Sequence, residues 1–153
     1  MAELPVEEWQ RVCGVNLSGM LYCIKAATPF MTAQKHGRIV NIASISAARG
    51  GGSIGNVLYG TSKAGVVALT MGMARELGRH QITVNAVSPA VAATKMTRDL
   101  LTEEVKNRVT ARIPLGRLTA VEDVADLVTF LASERASFIS GVVIPVDGGI
   151  LTT

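Results

Sequence analysis

Apolar residues recur at helical spacing through WQRVCGVNLSGMLYCIKAATPFM, which predicts one long, largely buried helix reaching to about Ala33. Pro5 stands ahead of it, and Glu7 and Glu8 fall in its first turn. Proline needs no amide partner there, and the acids face the positive end of the helix dipole. Gly37 supplies the stop after Lys35 and His36. The spacing then changes: RIVNIAS (38–44) is a short β-branched run without polar alternation, the pattern of a strand covered on both faces. YGTSKAGVVALTMGMARELGRH (59–80) returns to helical spacing and ends in basic residues, and ITVNAV (82–87) predicts a second buried strand closed by Ser88 and Pro89. A loop through AVAATK leads to a more polar helical patch, TEEVKNRVTARI, and then to the connector IPLGRL. AVEDVADLVTFLASE (120–134) predicts a helix capped by Thr119 with acids in its first turns. GVVIPVDGG (141–149) predicts a last strand ending in a glycine turn. Helices alternating with buried strands argue a parallel α/β sheet with right-handed crossovers. No repeat or linker interrupts the pattern, so residues 1–153 read as a single domain or part of one.

Composition narrows the classes. Nearly half of the 153 residues are apolar and 18% are charged, as in a globular chain. The net charge of +3 is small and the basic residues are scattered, which suits an anionic small ligand and argues against nucleic acid. Cys13 and Cys23 lie ten apart with no C-x-x-C and no histidine beside them, so they read as buried thiols rather than a disulfide or metal site. The acidic start MAELPVEEW is unlike a targeting peptide, and the longest apolar run is too short to cross a bilayer. A soluble, reducing compartment, the cytoplasm, is expected.

Two candidate signatures share the stretch RGGGSIGNVLYGTSKAG (49–65). Gly50, Gly52 and Gly55 fit G-x-G-x-x-G, the spacing of a dinucleotide phosphate loop. Against it, ISAA and Arg49 separate Ser44 from Gly50, where the fingerprint should follow its strand directly. ITVNAVSP offers no acid to read a ribose, and Glu76 falls in the helix. The glycines therefore read as a loop insertion. Tyr59 and Lys63, four apart, share one helical face. An ammonium near a phenol favours the phenolate, and such a tyrosine can donate or accept a proton. Taken alone, the same spacing describes an aromatic beside a solvated amine.

The surroundings add to the pair. EEWQRVCGVNLSGMLYCIKAATPFM, GRIVNIAS, YGTSKAGVVALTMGMARELG, ITVNAVSPAVAATKMT, IPLGRL, EDVADLVTFLASERASFISG and VVIPVDGG follow one another in an order and spacing that resembles the short-chain dehydrogenase/reductase family across essentially the whole chain. The likeness is greatest to its 3-oxoacyl-carrier-protein-reductase-like branch. The resemblance implies an NAD(P)-dependent oxidoreductase that interconverts a carbonyl and a secondary alcohol, with NADP or NAD as cofactor. Tyr59 would be the general acid/base. Lys63 would favour its phenolate and hold the nicotinamide ribose. A serine would hydrogen-bond the substrate oxygen. Counting back from the tyrosine selects Ser46, whereas the strand end selects Ser44, and the extra glycines favour Ser44. Asn16 would hold a proton-relaying water, or else satisfies a helix irregularity. SPAVAAT matches the segment beside the nicotinamide, with Pro89 fixing the turn, the backbone near Ala92 reaching the carboxamide, and Thr94 reaching carboxamide or phosphate. Ala90 stands where the family has glycine, and Lys95 and Met96 begin the region that covers the substrate.

The resemblance also defines an omission. The family opens with a strand and a T-G-x-x-x-G-x-G loop, and neither that loop nor an N-N-A-G stretch occurs here. The expected fold is an incomplete Rossmann-type doubly wound parallel sheet, the C-terminal catalytic part, lacking roughly 90 residues of the dinucleotide half. A central strand would then lack a partner on one side. The two long helices imply a homo-oligomer, and two other classes remain open. One is a truncated, non-catalytic partner subunit, and the other is a free-standing binder using Gly50 to Gly55.

Overall fold

The computed structural model describes residues 4–51 and 56–152. The first apolar run is helical from Val6 to Gln34 in three consecutive pieces: α1 (Val6–Cys13), a π-helical turn at Gly14–Ser18, and α2 (Gly19–Gln34). Its burial is the first correction, because only Ile24 of this whole length is fully buried. Trp9, Tyr22 and Phe30 are 41%, 66% and 71% exposed. One side of the helix presses on the strand and helix that follow, while nothing among the described residues covers the other. Cys23 is exposed for that reason and Cys13 is half-buried, both as free thiols. The stop is not Gly37 but Lys35, which takes the left-handed conformation at φ 50 and caps α2. Gly37 instead opens the first strand under Met31, where a Cβ would run into the methionine side chain.

Three parallel strands follow: β1 (Gly37–Ile42), β2 (Ile82–Pro89) and β3 (Val143–Val146), in the order β1-β2-β3. Pairing runs from Gly37↔Ile82 to Ile42↔Val87, and from Ala86↔Val143 to Pro89↔Val146. Successive residues of a strand point to opposite faces, and β2 uses both. Ile82, Val84 and Ala86 pack with Ile24, Ile39 and Val66 beneath α2 and the long helix α4 (Val57–Leu77). Val87 packs with Leu131, Ala136 and Ile144 beneath α6 (Val121–Ala132). This accounts for the continuous apolar reading of ITVNAV: a strand covered on both faces has no polar phase.

Buried amides lock the layers together. Asn41 on β1 donates to Thr70 Oγ1 on α4 at 2.9 Å. Asn85 on β2 donates to the Ile139 carbonyl at 2.8 Å and accepts the Val142 N–H at 3.3 Å, which fixes the approach to β3. α6 does not start on Thr119. Its cap is Ala120, whose N–H donates to Asp123 at 2.8 Å. Arg117 grips the same carboxylate at 2.6 and 2.9 Å, and the guanidinium, followed by the Ala120 N–H, holds the Asp123 carboxyl down to about 2. Thr119 is buried and bridges to Ala92, so its backbone serves the sheet rather than the helix. Two shorter helices complete the frame, α3 (Ser46–Arg49) and α5 (Glu103–Thr110).

Candidate functional site

The carboxyl ends of parallel strands are where open α/β sheets bind ligands. Here the backbone pairing runs past β1, with Ala43 N–H donating to Val87 at 2.8 Å and Ile45 N–H to Pro89 at 3.1 Å. Ser44 sits between these two bonds at the end of the sheet and is buried. Its Oγ accepts the Ser46 N–H at 3.2 Å, which leaves the hydroxyl hydrogen free for another acceptor.

Tyr59 lies in the first turn of α4. That helix begins at Val57, two residues before the expected start, because Asn56 is a side-chain cap whose Oδ1 accepts the Tyr59 N–H at 3.0 Å. One turn on, the Lys63 ammonium lies 5.7 Å from the centre of the Tyr59 ring and donates to the Ile42 carbonyl at 2.8 Å. Burial lowers the Lys63 pKa, since a desolvated ammonium is harder to keep charged. Asn16 is on the π turn, and its amide donates to Ser62 Oγ at 2.9 Å. Ser62 in turn donates to the Tyr59 carbonyl at 2.8 Å. The helix irregularity therefore delivers Asn16 to α4, one residue short of Lys63. Gly65 makes that crossing possible, because a Cβ there would strike Leu17.

The loop after β2 holds the remaining expected residues. Pro89 closes the strand, and the Ala92 carbonyl accepts Thr97 Oγ1 at 2.6 Å. The Thr94 N–H donates to that same hydroxyl oxygen at 3.0 Å, and Thr94 itself is exposed. Of the glycine signature, Gly52 and Gly55 lie outside the described residues, while Gly50 ends α3 in the left-handed conformation at φ 66.

Ser44 and Tyr59 open on to one cavity of about 330 Å³, which Ser46 also lines. Asn16, Lys63, Pro89, Ala92 and Thr94 stand outside its lining. Much of the remaining lining is apolar, with Ile45, Val91, Leu100, Val109 and Ile150 among its members. Arg49 and Asn56 form part of the rim and were not foreseen from the sequence. Asn56 was legible as an asparagine directly before an apolar helical run, whereas nothing local marks Arg49. Two hydroxyls on one cavity, with an ammonium behind one of them, can hydrogen-bond an oxygen that gains negative charge and pass it a proton. Among the described residues no cluster of His, Cys, Asp and Glu could hold a metal ion. No helix there is long and apolar enough to cross a membrane.

Residues 1–151 match the family model described as enoyl-(acyl carrier protein) reductase. A (3R)-3-hydroxyacyl-CoA dehydrogenase of Mus musculus is 47% identical over 145 residues, covering 94% of this chain and 55% of that protein. The 3-oxoacyl-[acyl-carrier-protein] reductase FabG of Staphylococcus aureus is 43% identical over 144 residues, covering 94% and 57%. The chain thus spans about half the length of the curated relatives it matches. Among solved structures, a gluconate 5-dehydrogenase from Burkholderia cenocepacia in complex with NADP and tartrate superposes with a TM-score of 0.93 at 27% identity, covering 99% of this chain and 59% of that one. A 3-oxoacyl-[acyl-carrier protein] reductase with bound NAD from Brucella melitensis gives 0.89 at 34% identity, covering 97% and 54%.

Proposed function

Because the chain belongs to the short-chain dehydrogenase/reductase family, we propose that it carries the proton-transfer site of an NAD(P)-dependent oxidoreductase that interconverts a carbonyl and a secondary alcohol. The observation that carries this reading is the opening of Ser44 and Tyr59 on to one cavity, with the Lys63 ammonium behind the Tyr59 ring.

In the direction of reduction, Ser44 Oγ–H and the Tyr59 hydroxyl hydrogen-bond the substrate oxygen from the strand and helix sides of the cavity. Negative charge grows on that oxygen, and preorganised donors stabilise it at no reorganisation cost. Tyr59 then gives its proton to that oxygen. In the direction of oxidation Tyr59 takes the alcohol proton instead. The donor set fits a nicotinamide cofactor: the Lys63 ammonium gives one hydrogen bond, to Ile42, and retains donors for a ribose diol. Lys63, the backbone from Pro89 to Ala92, and the Thr94 hydroxyl would hold the nicotinamide half. When bound, that group supplies or accepts the hydride at the carbonyl carbon. Asn16 and Ser62 brace the first turn of α4 from below, which fits Asn16 as a positioning residue for Tyr59 and Lys63.

The relatives' names include acyl thioesters and a sugar acid, so they leave the substrate open. Calorimetric titration with NADPH and then NADH, followed by a panel of ketones and secondary alcohols, tests the reading. Saturable binding with nicotinamide-dependent turnover is expected; a folded chain that binds neither nucleotide and turns nothing over overturns it. The exposed apolar side of α1 and α2 supports association through the two long helices, between copies of this chain or with a full-length relative.

A further inference from the structure

Three charged side chains line the cavity shared by Ser44 and Tyr59: Glu8, Arg11 and Arg49. Glu8 and Arg11 face each other on α1 and cancel. The Arg11 guanidinium donates to both carboxylate oxygens, at 2.8 and 2.7 Å, and this holds the Glu8 carboxyl below its ordinary range. Arg49 is the last residue of α3, and its guanidinium makes no ion pair or hydrogen bond with a described residue. One positive charge is therefore left over at the rim.

Asn56 adds to that polarity. Its Oδ1 accepts the Tyr59 N–H, and its Nδ2 makes no hydrogen bond with a described residue, so two donors remain for whatever enters. The cavity thus offers hydrogen-bond donors and a cation beside an apolar lining that includes Ile45, Val91, Met96, Leu100, Val109 and Ile150. Gly60 keeps the cation in place, because only a residue without a Cβ lets the backbone of Gly50 and Gly51 rest against α4 beside Tyr59.

We propose that Arg49 is a specificity-determining residue that selects a substrate carrying an anionic oxygen group, a carboxylate or a phosphate, joined to its reacting carbonyl by an apolar segment. A guanidinium matches the planar fork of a carboxylate or phosphate with two parallel donors, and the Asn56 amide supplies a further one. The apolar segment lies against the Leu100, Val109 and Ile150 wall. This rests on the carbonyl-reducing reading of Ser44 and Tyr59 for the orientation of the substrate, but not for the charge preference itself.

Titration calorimetry on the purified chain, with and without NADPH, provides the test. One arm compares a medium-chain keto acid with its own primary amide. The other compares hydroxyacetone phosphate with hydroxyacetone. In at least one arm the anion binds about tenfold more tightly than its neutral partner, the ratio a charge-assisted hydrogen bond supplies. Arg49→Gln brings the anion down to the level of the neutral compound, and Arg49→Lys keeps part of the preference. The arm that responds distinguishes carboxylate from phosphate. Equal binding of anion and neutral partner in both arms overturns the proposal. So does a preference that survives in R49Q, or a folded chain that binds none of the four compounds. The oxidoreductase reading is judged separately, on nicotinamide-dependent turnover of neutral ketones, so the two fail by different results.

Discussion

Ser44 and Ser46 stand two residues apart and both reach the cavity, yet they are held differently. Ser44 is fixed between two sheet hydrogen bonds, and its Oγ is aimed by the Ser46 N–H. Ser46 opens α3 and contributes its backbone to that aim. If Ser44 donates to the developing oxyanion, Ser44→Ala lowers kcat by about two to three orders of magnitude. Ser46→Ala leaves the orienting N–H intact and changes kcat only a few-fold. Steady-state rates on a ketone that the wild type reduces check this, and the reverse ranking would move the role to Ser46. Strand end and spacing from Tyr59 disagree by two residues, and in the sequence only the extra glycines favour Ser44 over Ser46. The two differ in the structure by a backbone hydrogen bond, from the Ser46 N–H to Ser44 Oγ, which no spacing rule reports.

At the scale of elements, the apolar pattern located the three strands among the described residues, because burial on both faces of β1 and β2 leaves a signature in the residues themselves. It misjudged the first helix for the same reason. The α2 part of that run, GMLYCIKAATPFM, carries apolar residues on most sides, and an apolar face looks alike whether or not anything covers it. Helix ends were misread where a neighbour set the geometry. Gly37 is small to pass under Met31, not to stop α2, and Asp123 caps α6 from inside the helix while Thr119 joins the sheet. The close packing of α3 on α4 is a further such case. A Cβ on Gly60 would enter the backbone of Gly50 and Gly51, which cannot rotate away as a side chain would. Gly60→Ala is expected to cost about 1–3 kcal/mol and, by shifting the cavity rim, to raise KM more than it lowers kcat. Urea unfolding and steady-state kinetics read the two effects, and an unchanged midpoint with unchanged KM would show that the segment repacks freely.

Across the whole molecule, the sheet gathers Ser44, Tyr59 and Lys63 at one end while α1 and α2 leave Trp9, Tyr22 and Phe30 to solvent. If that surface is covered by a second copy of the chain, as exposed apolar patches often are, association follows concentration. Sedimentation velocity is expected to show a mass that rises with concentration, and Tyr22→Lys together with Phe30→Lys should restore a monomer. A wild-type monomer at all concentrations would leave that face without a partner of its own kind. The chain spans about half of its curated relatives, so the local chemistry of the site is the most direct object of test. Nicotinamide-dependent turnover of one panel ketone by the wild type and by Tyr59→Phe is the measurement to make. Phenylalanine keeps the ring and the Asn56 cap and removes only the transferable proton. Turnover by the wild type that falls by about 10²–10⁴-fold in Y59F, with the same circular dichroism spectrum, is the predicted result. A Y59F variant as active as the wild type would contradict the account.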